Sequence, residues 1–214
     1  MREVTQSHTR KKNYQARLAF PTVFHEYNFN KKDFKKNKLI DFCYAEKKQN
    51  PKGLKRSNRG GWHSRIYNIN EDNLISEHLK KGLGKSVFTT LKQTLQVNVS
   101  YWIMINSPNT YNSSHTHPNS HLSGVFWINA PKNSGDLKFI NPSNFEAYVE
   151  LHCYVNQFKL DTNVYESYIY TPTAGKMVTF PSYVIHEVLD NKSNEDRIAV
   201  SYNVTLSGWD VDEE

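Results

Sequence analysis

Short apolar runs separated by turn residues dominate the second half of the chain. In chain order they are "LQVNVSYWIMI", "LSGVFWINA", "DLKFI", "ESYIYTP", "GKMVTFPS", "IHEVL" and "RIAVSYNVTL". In the last run Arg197 and Ser201 alternate with Ile198 and Tyr202, the period of two expected of a strand with one buried face. Many short strands at a spacing of about ten residues are typical of a sandwich or barrel. The pattern predicts a jelly roll, or double-stranded β-helix, over residues 96–206.

The first half of the chain predicts helices and loops instead. Residues 31–46 favour a helix with Phe34, Ile40 and Phe42 partly buried. The run "NINEDNLISEHLKKGLGKSVFTTLKQTL" favours one or two helices broken near Gly82–Gly84, whereas "QNPKGLKRSNRGGW" has the composition of a loop. We therefore expect a mainly β protein with N-terminal helices.

The predicted organisation is one domain with a short tail at each end. Residues 1–17 read as a polar, basic arm, residues 18–95 as helical and loop support, and residues 207–214 as an acidic tail. A length of 214 residues is enough for one well-buried core. The prediction is therefore a single domain over residues 18–214.

Composition supports strands and argues against a membrane protein. Aromatic residues make up 13% of the chain, with 13 Tyr and 11 Phe, so rings must supply much of the buried surface. No apolar run is long enough to cross a bilayer, and the first residues lack the apolar segment of a signal peptide. We expect a cytoplasmic protein whose two cysteines, Cys43 and Cys153, are reduced and buried.

The net charge of +6 is concentrated near the N-terminus. Residues 1–60 hold 16 Lys and Arg against 5 Asp and Glu, whereas residues 115–214 hold 6 against 13. The segments "NKKDFKKNK" and "KKQNPKGLKRSNRGG" are able to contact nucleic acid or an acidic partner. Because no nucleic-acid motif accompanies them, a solvated basic surface is the favoured interpretation.

The stretch "NSSHTHPNSH" places three of the nine histidines within seven residues. Residues two apart on a strand share a face, so His115 and His117 are predicted to reach one metal ion. The best third ligand is His186, which follows an apolar strand and a turn that contains proline. His121 is a further candidate, although it lies beyond a bend at Pro118.

Arg197 narrows the choice of chemistry at this site. Imidazole ligands suit Fe, Zn, Cu or Ni, and spacing alone does not choose among them. Arg197 opens the last strand eleven residues after His186. An inward-facing arginine is costly to bury unless an anion pairs with it. A dicarboxylate that chelates the metal at one end and pairs with the guanidinium at the other would satisfy it.

Seven short motifs, in order, carry a resemblance to a known family. They are "FPT", "GGWHS", "HTHPNS", "SGVFWI", "GDLKF", "FPSYVIH" and "RIAVSYN". Between Leu18 and Thr205 the chain resembles the iron(II)/2-oxoglutarate-dependent dioxygenase superfamily. Within it, the chain is most similar to the 2OG-Fe(II) oxygenases of marine bacteria and their phages. Each motif alone is weak evidence for the family, but the occurrence of all seven in the same order is strong evidence.

The resemblance implies a function and a set of site residues. His115 and His186 correspond to iron ligands, Arg197 to the residue that pairs with the remote carboxylate of 2-oxoglutarate, and Ser201 to an added hydroxyl donor. The implied cofactors are Fe(II), 2-oxoglutarate and O₂. The implied reaction hydroxylates a C–H bond of an unidentified substrate and releases succinate and CO₂.

One position departs from the superfamily pattern. The usual triad is two histidines and one carboxylate, and His117 stands where the carboxylate is expected. Asp136 belongs to the next strand, and Glu187 should point away from its neighbour His186. The predicted metal ligands are therefore His115, His117 and His186. The aromatic residues that could form the pocket wall are Trp102, Phe126, Trp127 and Phe180.

Two other functions compete with this prediction. Gly175, Pro181 and His186, taken with the "HTH" motif, resemble a cupin metal site in which His121 replaces a glutamate, and such an enzyme would need no 2-oxoglutarate. A jelly-roll binding module without catalysis is the other alternative, with its basic N-terminal surface contacting a partner. A homodimer is expected for this protein, because jelly-roll edges often pair.

Overall fold

The computed structural model describes residues 22–89, 96–142 and 166–207. These residues form two helices and twelve strands. The helices are α1 (Lys36–Gln49) and α2 (Leu74–Lys85). The strands are β1 (His25–Asn28), β2 (Asn58–Arg59), β3 (Trp62–His63), β4 (Tyr67–Asn68), β5 (Gln96–Asn106), β6 (Tyr111–His115), β7 (Leu122–Asn129), β8 (Leu137–Ile140), β9 (Ser167–Tyr170), β10 (Lys176–Pro181), β11 (His186–Val188) and β12 (Arg197–Ser207).

The strands form two antiparallel sheets, as the sequence predicts. The larger sheet has the order β1-β10-β7-β12-β5-β3, with β4 also paired to β5. The smaller sheet has the order β2-β6-β11-β8-β9. All seven apolar runs of the second half are strands, and the mainly β jelly-roll prediction is confirmed.

Strand β12 shows how the larger sheet divides the molecule. It pairs along its whole length with β5, so that Arg197 lies opposite Asn106 and Ser207 opposite Gln96. Its residues Ile198 and Tyr202 are buried in the apolar core that packs against α1 and α2. The alternate residues face a cavity between the two sheets. The predicted alternation therefore separates a structural face from a face that is available for chemistry.

The helices depart from the prediction at their ends. Helix α1 begins at Lys36 rather than near residue 31, because the chain turns first: Asn30 accepts backbone hydrogen bonds from Asp33 and Phe34. Helix α2 begins after Asn73, whose side chain accepts a hydrogen bond from the Ser76 backbone N–H at 3.0 Å. We expected a break near Gly82–Gly84, but α2 continues to Lys85.

Gly82 has a packing role rather than a helix-breaking one. A Cβ at this position would overlap the side chain of Met177 on β10. Glycine therefore lets α2 approach the larger sheet closely. His78 on the same helix is buried, and its ring nitrogens contact the carbonyl oxygens of Leu74 and Asp33.

Two expectations about loops were wrong in detail. His115 and His117 were expected on one strand, but β6 begins at Tyr111 and ends at His115. His117 therefore lies beyond the strand rather than on it. The predicted loop of residues 49–62 contains β2 and the start of β3. Strands of two residues carry too little periodicity to be recognised from sequence.

Several predictions fall outside the described residues. They are the basic arm of residues 1–17, most of the "FPT" motif, Cys153, and the acidic tail from residue 208 onward. Cys43 is free and buried, as expected. None of the described helices is long and apolar enough to cross a membrane.

Gly124 on β7 provides a test of the sheet packing. A Cβ at Gly124 would overlap the ring of Tyr202, which is fully buried and hydrogen-bonded to Thr179 at 2.7 Å. We expect Gly124→Ala to lower the free energy of unfolding by about 1–3 kcal/mol, the usual cost of overpacking a core. Urea denaturation followed by circular dichroism measures it.

Gly84→Ala is the matched control. Nothing lies within 4 Å of a Cβ at that position, and it sits in α2. Because alanine is the better helix former, this variant should lose no stability and gain up to about 1 kcal/mol. Equal effects of the two substitutions would contradict the packing described for Tyr202.

Candidate metal centre

Three histidines predicted from the sequence lie together between the two sheets. His115 ends β6 and His186 begins β11, and the two residues are directly paired in the antiparallel ladder. His117 follows β6 by two residues, and its backbone N–H donates to the carbonyl oxygen of Ser182 at 3.1 Å. The turn after β10 therefore positions His117, in place of the strand geometry that we expected.

The ring nitrogens of these residues converge on one point. One ligand atom from each of His115, His117 and His186 can be chosen so that all three lie within 4.8 Å of one another. The Nε2 atoms of His117 and His186 are 3.2 Å apart. Two nitrogens held about 2.0–2.1 Å from one ion lie about 2.8–3.4 Å apart in octahedral or tetrahedral geometry. The spacing of this pair therefore fits a shared metal ion.

Backbone carbonyls fix the orientation of two of the rings. Nδ1 of His115 lies 2.7 Å from the carbonyl oxygen of Ser113, and Nδ1 of His186 lies 2.9 Å from that of Val184. A carbonyl oxygen only accepts, so in each case Nδ1 carries the proton and donates it. The Nε2 lone pair is then free for a metal, which is the usual outer support of a ligating histidine.

Burial keeps the three imidazoles uncharged. Desolvation, together with the neighbouring rings of His186 and His115, lowers the pKa of His117 to about 3. Desolvation, together with His115, lowers the pKa of His186 to about 4. The pKa of His115 is also lowered by burial. Neutral imidazole is the form that binds metal, so the site is ready for an ion at neutral pH.

Aromatic side chains surround the triad. The rings of Phe180 and Phe139 lie 4.9 and 5.9 Å from the His186 ring, and Trp102 lies 5.7 Å from His117. Trp102, Trp127 and Phe180 line the cavity, whereas Phe126 packs in the core on the opposite face of the sheet. Three of the four predicted wall residues therefore reach the cavity.

The triad opens into a cavity of about 430 Å³. This volume lies within the range of about 300–1,000 Å³ that is typical of small-molecule sites. Arg197, Ser201 and Asn203 line it from β12, and Trp102 and Asn106 line it from β5. The larger sheet thus brings an arginine and several polar groups to the same space as the histidines.

Arg197 is buried without an acidic partner. It is 2% exposed, and its Nη1 donates to the carbonyl oxygens of Ser134 at 2.7 Å and Gly135 at 2.9 Å. Burial lowers the pKa of Arg197 to about 10, and the charge of Asp136 partly opposes this shift. The guanidinium is therefore still charged at neutral pH. Within the described parts of the chain, no carboxylate lies within 4.0 Å of it.

Gly135 allows this arrangement. It has a φ of +93°, and a Cβ there would lie 2.9 Å from the Arg197 Nη1 atom. A side chain would therefore displace the guanidinium, as well as strain the turn before β8. Position 135 belongs to the "GDLKF" motif, so part of that motif serves to hold Arg197.

The other histidine and carboxylate candidates lie elsewhere. His121 is exposed, and its Nδ1 accepts a hydrogen bond from the Leu206 backbone N–H at 3.1 Å. Glu187 forms an ion pair with Lys138 at 3.0 Å, and Asp136 does not line the cavity. The cupin interpretation required His121 as a ligand, and the structure does not bring it to the triad.

Sequence reasoning missed the residues that come from the predicted loop. Arg56, Arg59 and His63 line the cavity, although we had assigned the basic segment to the surface. In the sequence, His63 was indicated only by the "GGWHS" motif. The buried side chains of Asn106 and Asn112, which are 3.2 Å apart, brace this wall. No periodicity marks any of these residues, because they meet through strand pairing between distant segments.

The chemistry of the donor set fits iron. Three neutral imidazoles are ligands that first-row divalent ions accept, and a triad on one side of an ion leaves positions open for other ligands. The cavity supplies space on the open side. Arg197 is buried, and among the described residues no carboxylate lies within 4.0 Å of it. It can therefore bind the far end of an anion that also reaches the metal.

The chain is similar to known proteins in sequence and in fold. Residues 100–203, just under half of the chain, match the model of a family described as "Putative 2OG-Fe(II) oxygenase". This part of the chain is therefore similar in sequence to that family. It contains all three histidines as well as Arg197 and Ser201. No curated protein sequence matches the chain.

Solved structures share the fold of this chain. A Pseudomonas putida prolyl-4-hydroxylase is similar with a TM-score of 0.58 and 14% identity, over 86% of this chain and 92% of that one. A Trichoplax adhaerens prolyl hydroxylase, in complex with a hypoxia inducible factor peptide fragment, gives 0.55 and 11%, over 85% and 83%. HygX from Streptomyces hygroscopicus, with nickel and 2-oxoglutarate bound, gives 0.51 and 10%, over 86% and 82%.

His117 and His121 provide the test of the triad. We expect His117→Ala to weaken Fe(II) binding by at least about tenfold, because a direct ligand is lost. Loss of a residue that only supports a ligand already lowers metal affinity about 10–100-fold. His121→Ala should leave the affinity within about twofold, since that side chain is exposed and hydrogen-bonded to β12. Anaerobic titration calorimetry with Fe(II) gives both constants. Equal losses in the two variants would exclude His117 as a ligand.

Proposed function

We propose that this protein is an Fe(II)- and 2-oxoglutarate-dependent oxygenase in which His115, His117 and His186 hold the metal. Arg197 binds the remote carboxylate of 2-oxoglutarate, and the Ser201 hydroxyl, on the same face of β12, adds a hydrogen bond to it. One observation carries this assignment. A histidine triad with converging nitrogens and a buried arginine without an acidic partner line the same cavity of about 430 Å³.

Each group of the chain has a definable task in this function. Bound Fe(II), together with 2-oxoglutarate and O₂, supplies the oxidation in which 2-oxoglutarate leaves as succinate and CO₂ while a C–H bond of the substrate is hydroxylated. The carbonyls of Ser113 and Val184 hold His115 and His186 in the tautomer that presents Nε2. The rings of Phe139 and Phe180 exclude water beside His186.

Arg197 orients the cosubstrate by charge and geometry. The carbonyls of Ser134 and Gly135 fix its Nη1 edge, which leaves the rest of the guanidinium facing the cavity. A guanidinium offers two parallel N–H groups to a carboxylate, so it sets direction as well as affinity. A carboxylate there would also remove the cost of burying an unpaired charge.

Three finer expectations stay predictions. They are a close relationship to proteins of marine bacteria and their phages, a homodimer, and a location in the cytoplasm. Contact with nucleic acid also stays a prediction for the basic N-terminal third. Part of that basic segment, including Arg56 and Arg59, lines the cavity.

Substitution of Arg197 tests its role in cosubstrate binding. Arg197→Ala should weaken 2-oxoglutarate binding by at least about 30-fold, since loss of one partner of a buried charged pair costs about 2–5 kcal/mol. Metal content should be unchanged, because no ligand is removed. The measurement is the visible absorbance band that Fe(II) and 2-oxoglutarate form together without O₂, titrated with 2-oxoglutarate.

Arg65→Ala is the control for that variant. Arg65 pairs with Glu71 at 2.7 Å on the surface and does not line the cavity. Its removal should not change the titration. Unchanged 2-oxoglutarate affinity in Arg197→Ala would contradict the assignment and would favour a metalloenzyme that needs no 2-oxoglutarate.

Replacement of His117 by aspartate tests the unusual ligand. His117→Asp restores two histidines and a carboxylate, so the protein should keep iron and release succinate from 2-oxoglutarate at an equal or higher rate. His117→Asn, similar in size but uncharged, should release less. Loss of iron in the aspartate variant would show that the site requires an imidazole at this position.

A further inference from the structure

The short segment of residues 56–63 crosses from one sheet to the other and closes one edge of the cavity. Strand β2 pairs with β6, so that Asn58 lies opposite Asn112, and β3 pairs with β5, so that His63 lies opposite Met104. Arg56, Arg59 and His63 line the cavity from this segment. The same segment thus touches the strand that carries His115 and the strand that carries Trp102.

Hydrogen bonds hold this segment in one conformation. The Asn58 side chain donates to the carbonyl oxygens of Leu54 at 3.1 Å and Gly61 at 2.7 Å, and it accepts from the Arg56 backbone N–H at 2.7 Å. The Asn112 side chain on β6 donates to the Ser57 hydroxyl at 3.2 Å. A segment braced on both sides presents its side chains with little ordering cost on binding.

Neither arginine of this segment is neutralised. Arg59 Nη1 donates to the carbonyl oxygens of Arg56 at 3.0 Å and Asn58 at 3.1 Å, which directs the side chain along β2. Among the described residues, no carboxylate lies within 4.0 Å of either guanidinium, in contrast to Arg65 with Glu71. The described lining of the cavity includes no Asp or Glu at all.

The net charge of the site with iron and 2-oxoglutarate bound favours a negatively charged substrate. In the proposed function, Fe(II) and Arg197 contribute three positive charges and 2-oxoglutarate two negative ones. A carboxylate ligand would cancel the remainder, but His117 is neutral, so one positive charge is left. Arg56 and Arg59 raise the excess to three. A substrate that carries an oxyanion would lower this excess, whereas a cation would be repelled.

A flat wall connects the arginines to the histidine triad. The ring of His63 is stacked on Trp102 with an interplanar angle of 2° and a centroid distance of 5.6 Å. The centroids of the Trp102 and His117 rings are 5.7 Å apart. His63 Nδ1 donates to the Ser64 carbonyl oxygen at 2.6 Å, which fixes this ring. A planar or apolar part of a ligand can therefore pack between the arginines and the metal.

We propose that Arg56 and Arg59 form the substrate subsite, and that it binds a small molecule carrying a carboxylate or a phosphate ester. The oxyanion pairs with the two guanidinium groups, and the body of the molecule lies along His63 and Trp102 with its reactive C–H bond toward the triad. This inference rests on the proposed function. Both arginines are exposed at the cavity edge, so part of the basic surface would also serve the site.

Binding of matched probes tests the proposal. The protein is saturated with Fe(II) and 2-oxoglutarate without O₂ and titrated by calorimetry with benzoate, phenyl phosphate and the uncharged benzamide. We expect at least one of the two anions to bind tenfold or more tightly than benzamide. The preferred anion shows whether the site takes a carboxylate or a phosphate ester.

Two double variants show whether the arginines are responsible. Arg56→Gln with Arg59→Gln should weaken binding of the preferred anion at least tenfold and leave the absorbance band of Fe(II) with 2-oxoglutarate unchanged. Lys52→Gln with Lys55→Gln removes the same charge from exposed residues of the same loop that do not line the cavity. That control should change the affinity by less than about twofold.

The outcomes separate this inference from the proposed function. Equal binding of benzamide and the anions, no measurable binding of either anion, or equal losses in both double variants would overturn the subsite. Absence of the Fe(II) and 2-oxoglutarate band in the unmodified protein would overturn the proposed function, and the subsite with it.

Discussion

The antiparallel pairing of β6 with β11 is the interaction on which the site depends. It places His115 opposite His186 across two strands that are about seventy residues apart in sequence, with an irregularity in the ladder before Val188. Because side chains alternate along a strand, a slip of one residue would turn one of the two imidazoles away from the cavity. The backbone carbonyls of Ser113 and Val184, one on each side of the pair, then fix the rings. The proposed metal site thus depends on strand register, and the turn that holds His117 completes the triad.

The second constraint is a buried positive charge that the fold does not neutralise. Arg197 sits at the start of β12, where the same ladder that fills the core with Ile198 and Val200 directs the alternate residues into the cavity. Two carbonyl oxygens stabilise one edge of its guanidinium, but an anion is needed to compensate the charge. With neutral ligands at the metal and two further arginines at the cavity edge, the whole site selects for negatively charged molecules. Cosubstrate binding and the choice of substrate would then follow from one electrostatic property.

Much of the fold and of the candidate site was predictable from sequence, and the exceptions have physical reasons. Seven of the eight strands from β5 to β12 were predicted, because antiparallel strands with one buried face have a clear period of two; β6 carries no such apolar run. His115, His186 and Arg197 were found because a spaced motif and a resemblance marked them. The position of His117 beyond the end of β6 was missed, since a hydrogen bond to Ser182 far along the chain decides it. The sequence predicts surface charge at Arg56 and Arg59, and both side chains are exposed. That they also line the cavity edge was not predictable, because strands of two residues leave no pattern and only the pairing of β2 with β6 places them there.

The measurement that tests the account most directly is a crystal structure of the protein with Fe(II) and 2-oxoglutarate, grown without O₂ and phased at the iron edge. The account predicts one iron with Nε2 of His115, His117 and His186 each at about 2.0–2.2 Å, the range of nitrogen ligands at first-row metals. It also predicts the remote carboxylate of 2-oxoglutarate on the Arg197 guanidinium. An iron more than about 3 Å from His117, with water or another side chain in its place, would contradict the neutral three-histidine centre on which the electrostatic argument depends.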